Sequence, residues 1–475
     1  MSEIPNQSEM LSEQFVEELL KRFKSLRASQ HTAVMGNLKK DIPSVIVIGA
    51  GVAGVKAAYE LALMGMHVIL LEAQDRIGGR AHTKLINHNP VEFGAQFLHG
   101  IKNSELFLDL VKHKIDIRPM SRKQINIYDE SGKEIEMAQL MPFIEKIKSK
   151  VAGLELNRLS DDLDRFVAKE LKIYKREIEI ALNLKESDAQ LLMEKLSVHE
   201  LKQESLFEYK TGIGKKESEN NYLICSGISF YLEHILSYAS REGSIEVHLN
   251  AEVNNIKYEE DLVTAELSSG KSFKADAMIC TLPLGVLQQE DVTFEPPLPK
   301  AKSKAIQNLK IANHEKVIMQ FEKVFWPNKS HFIIPHEPHT HTWLDIVNLN
   351  YFSNSTNPVL VTSFHTGLGK KPDAEIIAEL QSYLKNIFGK DYIKPAKCWV
   401  THWESDPYIR GGYSYHPDGV TLDENSQIAR PVDRLCFAGE HTFRGPASIK
   451  GAFESGIEAA EQVVQQLSKI LAAAK

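Results

Sequence analysis

No run of roughly 18 consecutive apolar residues occurs in this 475-residue chain, so a membrane-spanning helix is not expected. Cysteine is equally scarce. Cys225, Cys280, Cys398 and Cys436 are scattered without a CxxC pair or metal-like spacing, which argues against a disulfide framework and against a bound metal. A reduced, cytoplasmic protein is the expectation. An excess of positive charge is also lacking. The 56 Lys and Arg against 63 Asp and Glu leave a net charge of −7, which disfavours nucleic acid as the main partner and suits a cationic ligand. The N-terminal MSEIPNQSEM is too polar and acidic for a secretory signal. The C-terminal LAAAK resembles neither a membrane tail nor a peroxisomal address. Internal repeats and low-complexity stretches are absent.

The organisation that is present is that of an α/β protein. Leu11, Phe15, Leu19, Phe23 and Leu26 recur at helical spacing, and the mixed charge between them suggests a helix docked on the main body. Residues 143–210 read as helical and highly charged, with breaks at Gly153 and at NLKESD (183–188) that exclude one long coiled coil. Residues 245–282 alternate between turn signals, as in a β-meander. Amphipathic helices are expected over 374–388 and 447–472. In NHEKVIMQF (313–321), Val317, Met319 and Phe321 fall on one face of a strand and Lys316, Ile318 and Gln320 on the other. The nine residues alone leave Lys316 facing either water or a closed pocket.

The most specific local pattern is SVIVIGAGVAGVKAAYELALMGMHVILLEAQDRIGGR, Ser44–Arg80. An apolar strand enters Gly49-x-Gly51-x-x-Gly54, a helix follows, and the strand His67–Leu71 ends at Glu72. Gly49 permits a tight turn, Gly51 lets a pyrophosphate approach the backbone, and Gly54 lets helix and strand pack closely. The helix N-terminus offers free N–H groups to phosphate, and Glu72 can accept bonds from ribose hydroxyls. These features indicate a dinucleotide and leave NAD and FAD open.

Two further segments bear on that choice. AQDRIGGR, with Arg76 and Arg80, resembles the extended dinucleotide motif of FAD-dependent oxidases, and RLCFAGEHT (434–442) resembles the second half of the FAD signature. From residue 43 to 466 the chain resembles the flavin-containing amine oxidases, a family of monoamine oxidases, polyamine oxidases and lysine-specific histone demethylases. VEFGAQFLHG (91–100), EVHLNAEVNNI, residues 275–309, HWESDPYIRGGYSY (402–415) and ASIKGAFESGIEAAEQVV carry the likeness. It implies a Rossmann-like FAD-binding domain (43–105, 221–285 and 400–472) interleaved with an α+β substrate-binding domain (106–220 and 286–399), behind an N-terminal helical extension (1–42). The cofactor implied is FAD, contacted by Gly49, Gly51, Ala53, Gly54, Glu72, Ala73, Arg80, Gln96, Phe97, Val253, Trp403, Gly439, Glu440, Ser448 and Ile449. Gly412 stands where monoamine oxidases carry the flavin-bonding cysteine, so the FAD should be non-covalent.

The resemblance also answers for Lys316. In the family a lysine at this position points into the active site and holds a water against the flavin, and Tyr413 matches the aromatic residue that orients the amine. A second cage tyrosine of the monoamine oxidases matches Ser448 here, which leaves room for a bulkier or internal amine. His99, Glu208 and Tyr408 are further candidate substrate contacts. Three stretches depart from the family pattern: LICSGISF (223–230), Lys450 where a histidine is usual, and the short polar linker 210–220. The implied reaction is oxidation of a polyamine-like C–N bond to an imine, with dioxygen reduced to hydrogen peroxide and no membrane or nucleic acid involved. A protein methyl-lysine demethylase ranks second, as no long coiled-coil tower is inserted and no extra histone-binding domain is expected ahead of residue 43. A monoamine oxidase is disfavoured by Ser448 and Gly412, and an L-amino-acid oxidase by the lack of an arginine in AQFLHG. From another class, a catalytically lapsed FAD-binding partner protein is the alternative, opposed by the presence of both Lys316 and Tyr413.

Overall fold

A computed structural model describes residues 42–99, 104–120, 125–128, 133–135, 221–242, 244–259, 261–328, 330–335, 343–353, 358–364, 371–417, 420–445 and 447–473. The helix expected over 10–28, the helices of 143–210, the linker 210–220 and Glu208 lie outside these residues.

The apolar run Ser44–Ile48 forms β1 at the centre of a five-stranded sheet. Its other members are β2 (His67–Leu71), β3 (Ser244–His248), β4 (Ala277–Cys280) and β5 (Leu435–Phe437), in the spatial order β3-β2-β1-β4-β5. Every neighbouring pair is parallel, and both faces of the sheet are covered, as parallel sheets require. Val45, Val47, Val68 and Leu70 pack on one face against α1 (Val52–Leu63), α2 (Ile228–Glu242) and α3 (Ile449–Ala473). Ile46, Ile48, Ile69 and Leu71 pack on the other face beneath the strands Val253–Tyr258, Val263–Leu267 and Ser272–Ala275.

Those three strands are the antiparallel meander expected between 245 and 282. Its expected ends, however, leave it and join the parallel sheet as β3 and β4. For β4 the reason is visible in its sequence, Ala-Met-Ile-Cys, which is buried at every position and suits a strand covered on both faces.

A second, seven-stranded sheet carries Lys316. Glu315–Gln320 lies between Lys397–Val400 and Val359–Phe364, antiparallel to both. The period of two holds, but both faces are buried except at Gln320, which is half-buried. Val317 and Met319 pack on the helix Asp373–Phe388 through Ile376, Leu380 and Leu384. Ile318 packs with Val91, Phe93, Leu223 and Val361 on the opposite face. The amphipathic helices expected over 374–388 and 447–472 are thus both present.

Candidate active site

The N-terminus of α1 stands where β1 ends. Gly49 has φ +93°, and a Cβ there would lie 2.6 Å from Thr281 Oγ1; a Cβ on Gly54 would lie 1.9 Å from the Gly49 carbonyl oxygen. Both positions exclude a side chain, and the chain crosses close over the helix. At Gly51 the nearest heavy atom to an added Cβ is Gly78 O at 4.0 Å, so the space before the helix is open. No side chain caps α1 and none of its first-turn residues is acidic, which leaves its N–H donors and positive end for an anion. Ala53 lies in that turn.

Glu72, at the end of β2, is buried and accepts bonds from the N–H groups of Ala50 (2.7 Å) and Gln74 (2.9 Å). Burial raises its pKa against those two bonds. Beside it opens a cleft of about 530 Å³ lined by Ala73, Gln74, Asp75, Asn250, Asp406 and Tyr408, among others. Tyr408 therefore shares a wall with Ala73 at this end of the site. Val253 begins the first meander strand and is buried.

A polar junction closes the other end. Arg80 Nη1 donates to Glu440 Oε1 (2.8 Å) and to the Gly412 carbonyl oxygen (3.0 Å). Glu440 is 6 % exposed and its second oxygen accepts a bond from Ser414 Oγ at 2.6 Å. Burial alone would raise the pKa of Glu440, but Arg80, His441 and the Ser414 hydroxyl hold it below its ordinary value. Gly439, at φ +140°, donates its N–H to Ser455 Oγ of α3. Ser448 Oγ accepts the Gly451 N–H at 3.1 Å and so caps α3, with Ile449 buried as the first helical residue.

Lys316 is 5 % exposed. Its Nζ donates to the Glu92 carbonyl oxygen (3.2 Å) and to Gln96 Oε1. Burial lowers its pKa, against the pull of the Glu92 carboxylate, and burial raises that of Glu92. Glu92 is held by Thr83 Oγ1 and by the Ile228 N–H, 2.7 Å away at the start of α2. The Lys316 N–H donates to Thr401 Oγ1, which donates to Glu315; Glu315 also accepts the Glu404 N–H. These bonds fix the loop carrying Trp403, whose ring meets His82 edge-on at 6.2 Å. Tyr413 pairs with Ala312, and its ring lies 5.8 Å from that of His314, two residues before Lys316. Burial raises the pKa of Tyr413.

Arg80, Gln96, Lys316, Tyr413 and Glu440 thus share one connected region. Phe97 and His99 lie on a short strand paired with Asn221–Ile224; Phe97 is half-buried and His99 exposed, their rings 6.1 Å apart. Sequence reasoning passed over Glu92, His314 and Ser414. Ser414 had a signal: in Tyr-Ser-Tyr, the strand period turns it away from both tyrosine rings. Glu92 had none, because an acid in an apolar stretch does not reveal which amide it caps. No cluster of metal-binding side chains occurs among the described residues, and no helix among them is long and apolar enough to cross a membrane.

Comparison with known proteins bears on this arrangement. The family model for flavin containing amine oxidoreductase matches residues 52–464. Polyamine oxidase 4 of Oryza sativa subsp. japonica is 30% identical over 443 residues, 88% of each chain. Polyamine oxidase 2 of Arabidopsis thaliana is 30% identical over 450 residues, 89% of this chain and 88% of the relative. Lysine-specific histone demethylase 1 homolog 2 of Oryza sativa subsp. japonica is 29% identical over 455 residues, but those are 89% of this chain and 57% of the demethylase homologue. With the family match running from α1 into α3, across both sheets and the junction between them, the chain belongs to the flavin-containing amine oxidoreductase family.

Proposed function

We propose that this amine oxidase binds FAD non-covalently and oxidises a polyamine-like substrate. The carrying observation is Lys316, a lysine held in a dry site and joined by backbone and aromatic contacts to the Arg80–Glu440 junction. The residues fit the cofactor. The uncapped N-terminus of α1, with Gly49, Gly51, Ala53 and Gly54, receives the pyrophosphate. Glu72 and Ala73 take the adenosine ribose and the Val253 backbone the adenine. Arg80, Gly439 and Glu440 take the ribityl chain, with Gln96, Phe97, Trp403, Ser448 and Ile449 around the ring. The parallel sheet, with strands from both ends of the chain, and the separate seven-stranded sheet support the reading of a Rossmann-like domain interleaved with a substrate domain.

Bound there, FAD would supply the two-electron oxidation of the C–N bond, with dioxygen as the electron acceptor that leaves as hydrogen peroxide. Tyr413 presents a ring face to the amine. Lys316 holds a water, and its lowered proton affinity lets it give or take a proton in the closed site. The N–H groups that open α3 after Ser448 would favour negative charge on a flavin bound beside them. A Cβ on Gly412 would lie 2.9 Å from both Ala312 O and His314 Cβ, which supports the absence of a covalent link there. The four free thiols support a reducing compartment, and we place the protein in the cytoplasm.

Anaerobic mixing of the purified protein with spermine, spermidine, their acetylated forms, a monoamine and a methyl-lysine peptide tests this reading. Bleaching of the yellow colour by a polyamine is expected, and acid precipitation should leave the colour in the supernatant. Bleaching by the peptide alone would replace the oxidase with a demethylase, the reading favoured by the demethylase relative. A yellow protein that no amine bleaches would instead indicate a lapsed enzyme.

A further inference from the structure

Tyr413 sits on a short strand. Tyr413–Tyr415 has three residues and, among the described residues, pairs with Lys310–Ala312 alone. Its two flanking residues, however, are bound to the same ion pair. On one side, Arg80 Nη1 donates to the Gly412 carbonyl oxygen at 3.0 Å. On the other, Ser414 donates its hydroxyl to Glu440 Oε2 at 2.6 Å, with its N–H 3.4 Å from the same oxygen. Arg80 and Glu440 are themselves joined at 2.8 Å. Ser414 and Glu440 are both buried, at 7 % and 6 % exposure, so little water is available to replace a lost bond.

We propose that Ser414 is a positioning residue: with Arg80 and Glu440 it forms a clamp that sets the tyrosine ring between its two anchors. This inference rests on the reading of Tyr413 as the wall of the amine site. It adds that the acid assigned to the ribityl chain also aims that wall, so cofactor side and substrate side share one carboxylate. The strand period places Ser414 on the face opposite Tyr413, so the serine acts on the ring only through the backbone. The charge-assisted hydroxyl bond is the stronger of its two links to Glu440, being shorter and better placed.

Ser414→Ala, Ser414→Thr, Tyr413→Leu and the Ser414→Ala/Tyr413→Leu double variant test the clamp. The measurements are the limiting rate of anaerobic flavin reduction by spermine, the FAD dissociation constant, and a crystal structure of Ser414→Ala. A misplaced reacting group costs up to about 100-fold in rate. The expected result is a loss of about 10-fold or more in Ser414→Ala with FAD still bound, recovery in Ser414→Thr, and no further loss when the alanine is added to Tyr413→Leu. The Tyr413 ring should be displaced in the Ser414→Ala crystal. An undisplaced ring, or losses that multiply in the double variant, would overturn the clamp. A normal rate in Tyr413→Leu with a displaced ring in Ser414→Ala would uphold the clamp and sink the substrate reading instead.

Discussion

A lysine in a strand is usually a solvent-facing residue, and nothing within NHEKVIMQF says otherwise. The decisive partners of Lys316 lie far off in sequence: the Glu92 carbonyl oxygen and Gln96 Oε1, more than 200 positions away. Only the family resemblance made its burial legible. Removing the amine should therefore leave cofactor binding intact while striking the chemistry. In Lys316→Met we expect FAD to remain bound and the rate of turnover to fall about 100-fold or more, the usual scale for losing a group that handles a proton. Stopped-flow absorbance would separate flavin reduction from reoxidation, and wild-type rates in both would refute the assigned role. Methionine suits the test because it fills similar volume with an unbranched apolar side chain.

Helices bring a different problem, since α1 must keep its N-terminus fixed over the proposed dinucleotide site. Lys56, midway along it, is 1 % exposed and bonds to Glu60 (2.8 Å) and Asp109 (3.0 Å), while its Nζ lies 4.4 Å from the centre of the Phe453 ring on α3. Tyr231 of α2 donates to Asp109 at 2.7 Å. One ammonium thus ties α1 to α2, α3 and the helix Glu105–Lys112. Asp109→Ala leaves that charge under-compensated and should cost about 3–5 kcal/mol in unfolding free energy, measurable by urea titration; a cost below about 1 kcal/mol would show the network to be dispensable. Burial raises the pKa of Asp109, but Lys56, Tyr231 and Lys112 lower it below the ordinary aspartate value. Its contribution is therefore present above about pH 3.9 and lost as pH falls through the lower folded value. The helix and strands around it were legible in Ser44–Glu72, where an apolar run, glycines and an acid occur in fixed order. The pairing of β1 with β4 was not, because Val45 meets Ala277 without any local signal.

Over the whole molecule, acid acts through groups of opposite sense. Burial pushes His82, His331 and His441 down to about 4. Between that value and about 6.5 the unfolded chain takes protons that the folded chain refuses, so stability present above about pH 6.5 is lost as pH falls toward 4. Burial of Glu454 raises its pKa to about 7, and there the folded chain takes the proton first, which favours folding as pH falls. His441, at 1 % exposure, is the most enclosed of the three histidines and is the one to test. In His441→Asn the fall of Tm between pH 6.5 and 4 should be shallower than in the wild type; parallel curves would exclude this histidine. None of this balance can be read from composition, because a histidine count does not say which rings are dry.

The parallel sheet has a consequence in time. Its first two strands run up to Glu72, but β5, Glu440 and the opening of α3 come after residue 434. A chain emerging from the ribosome therefore carries half of the proposed nucleotide cradle until β5 and Glu440 have been made. Closure of that proposed cradle waits for the residues after 434, and a message interrupted before them encodes a sheet without β5 and without the Arg80–Glu440 bond rather than a slower oxidase.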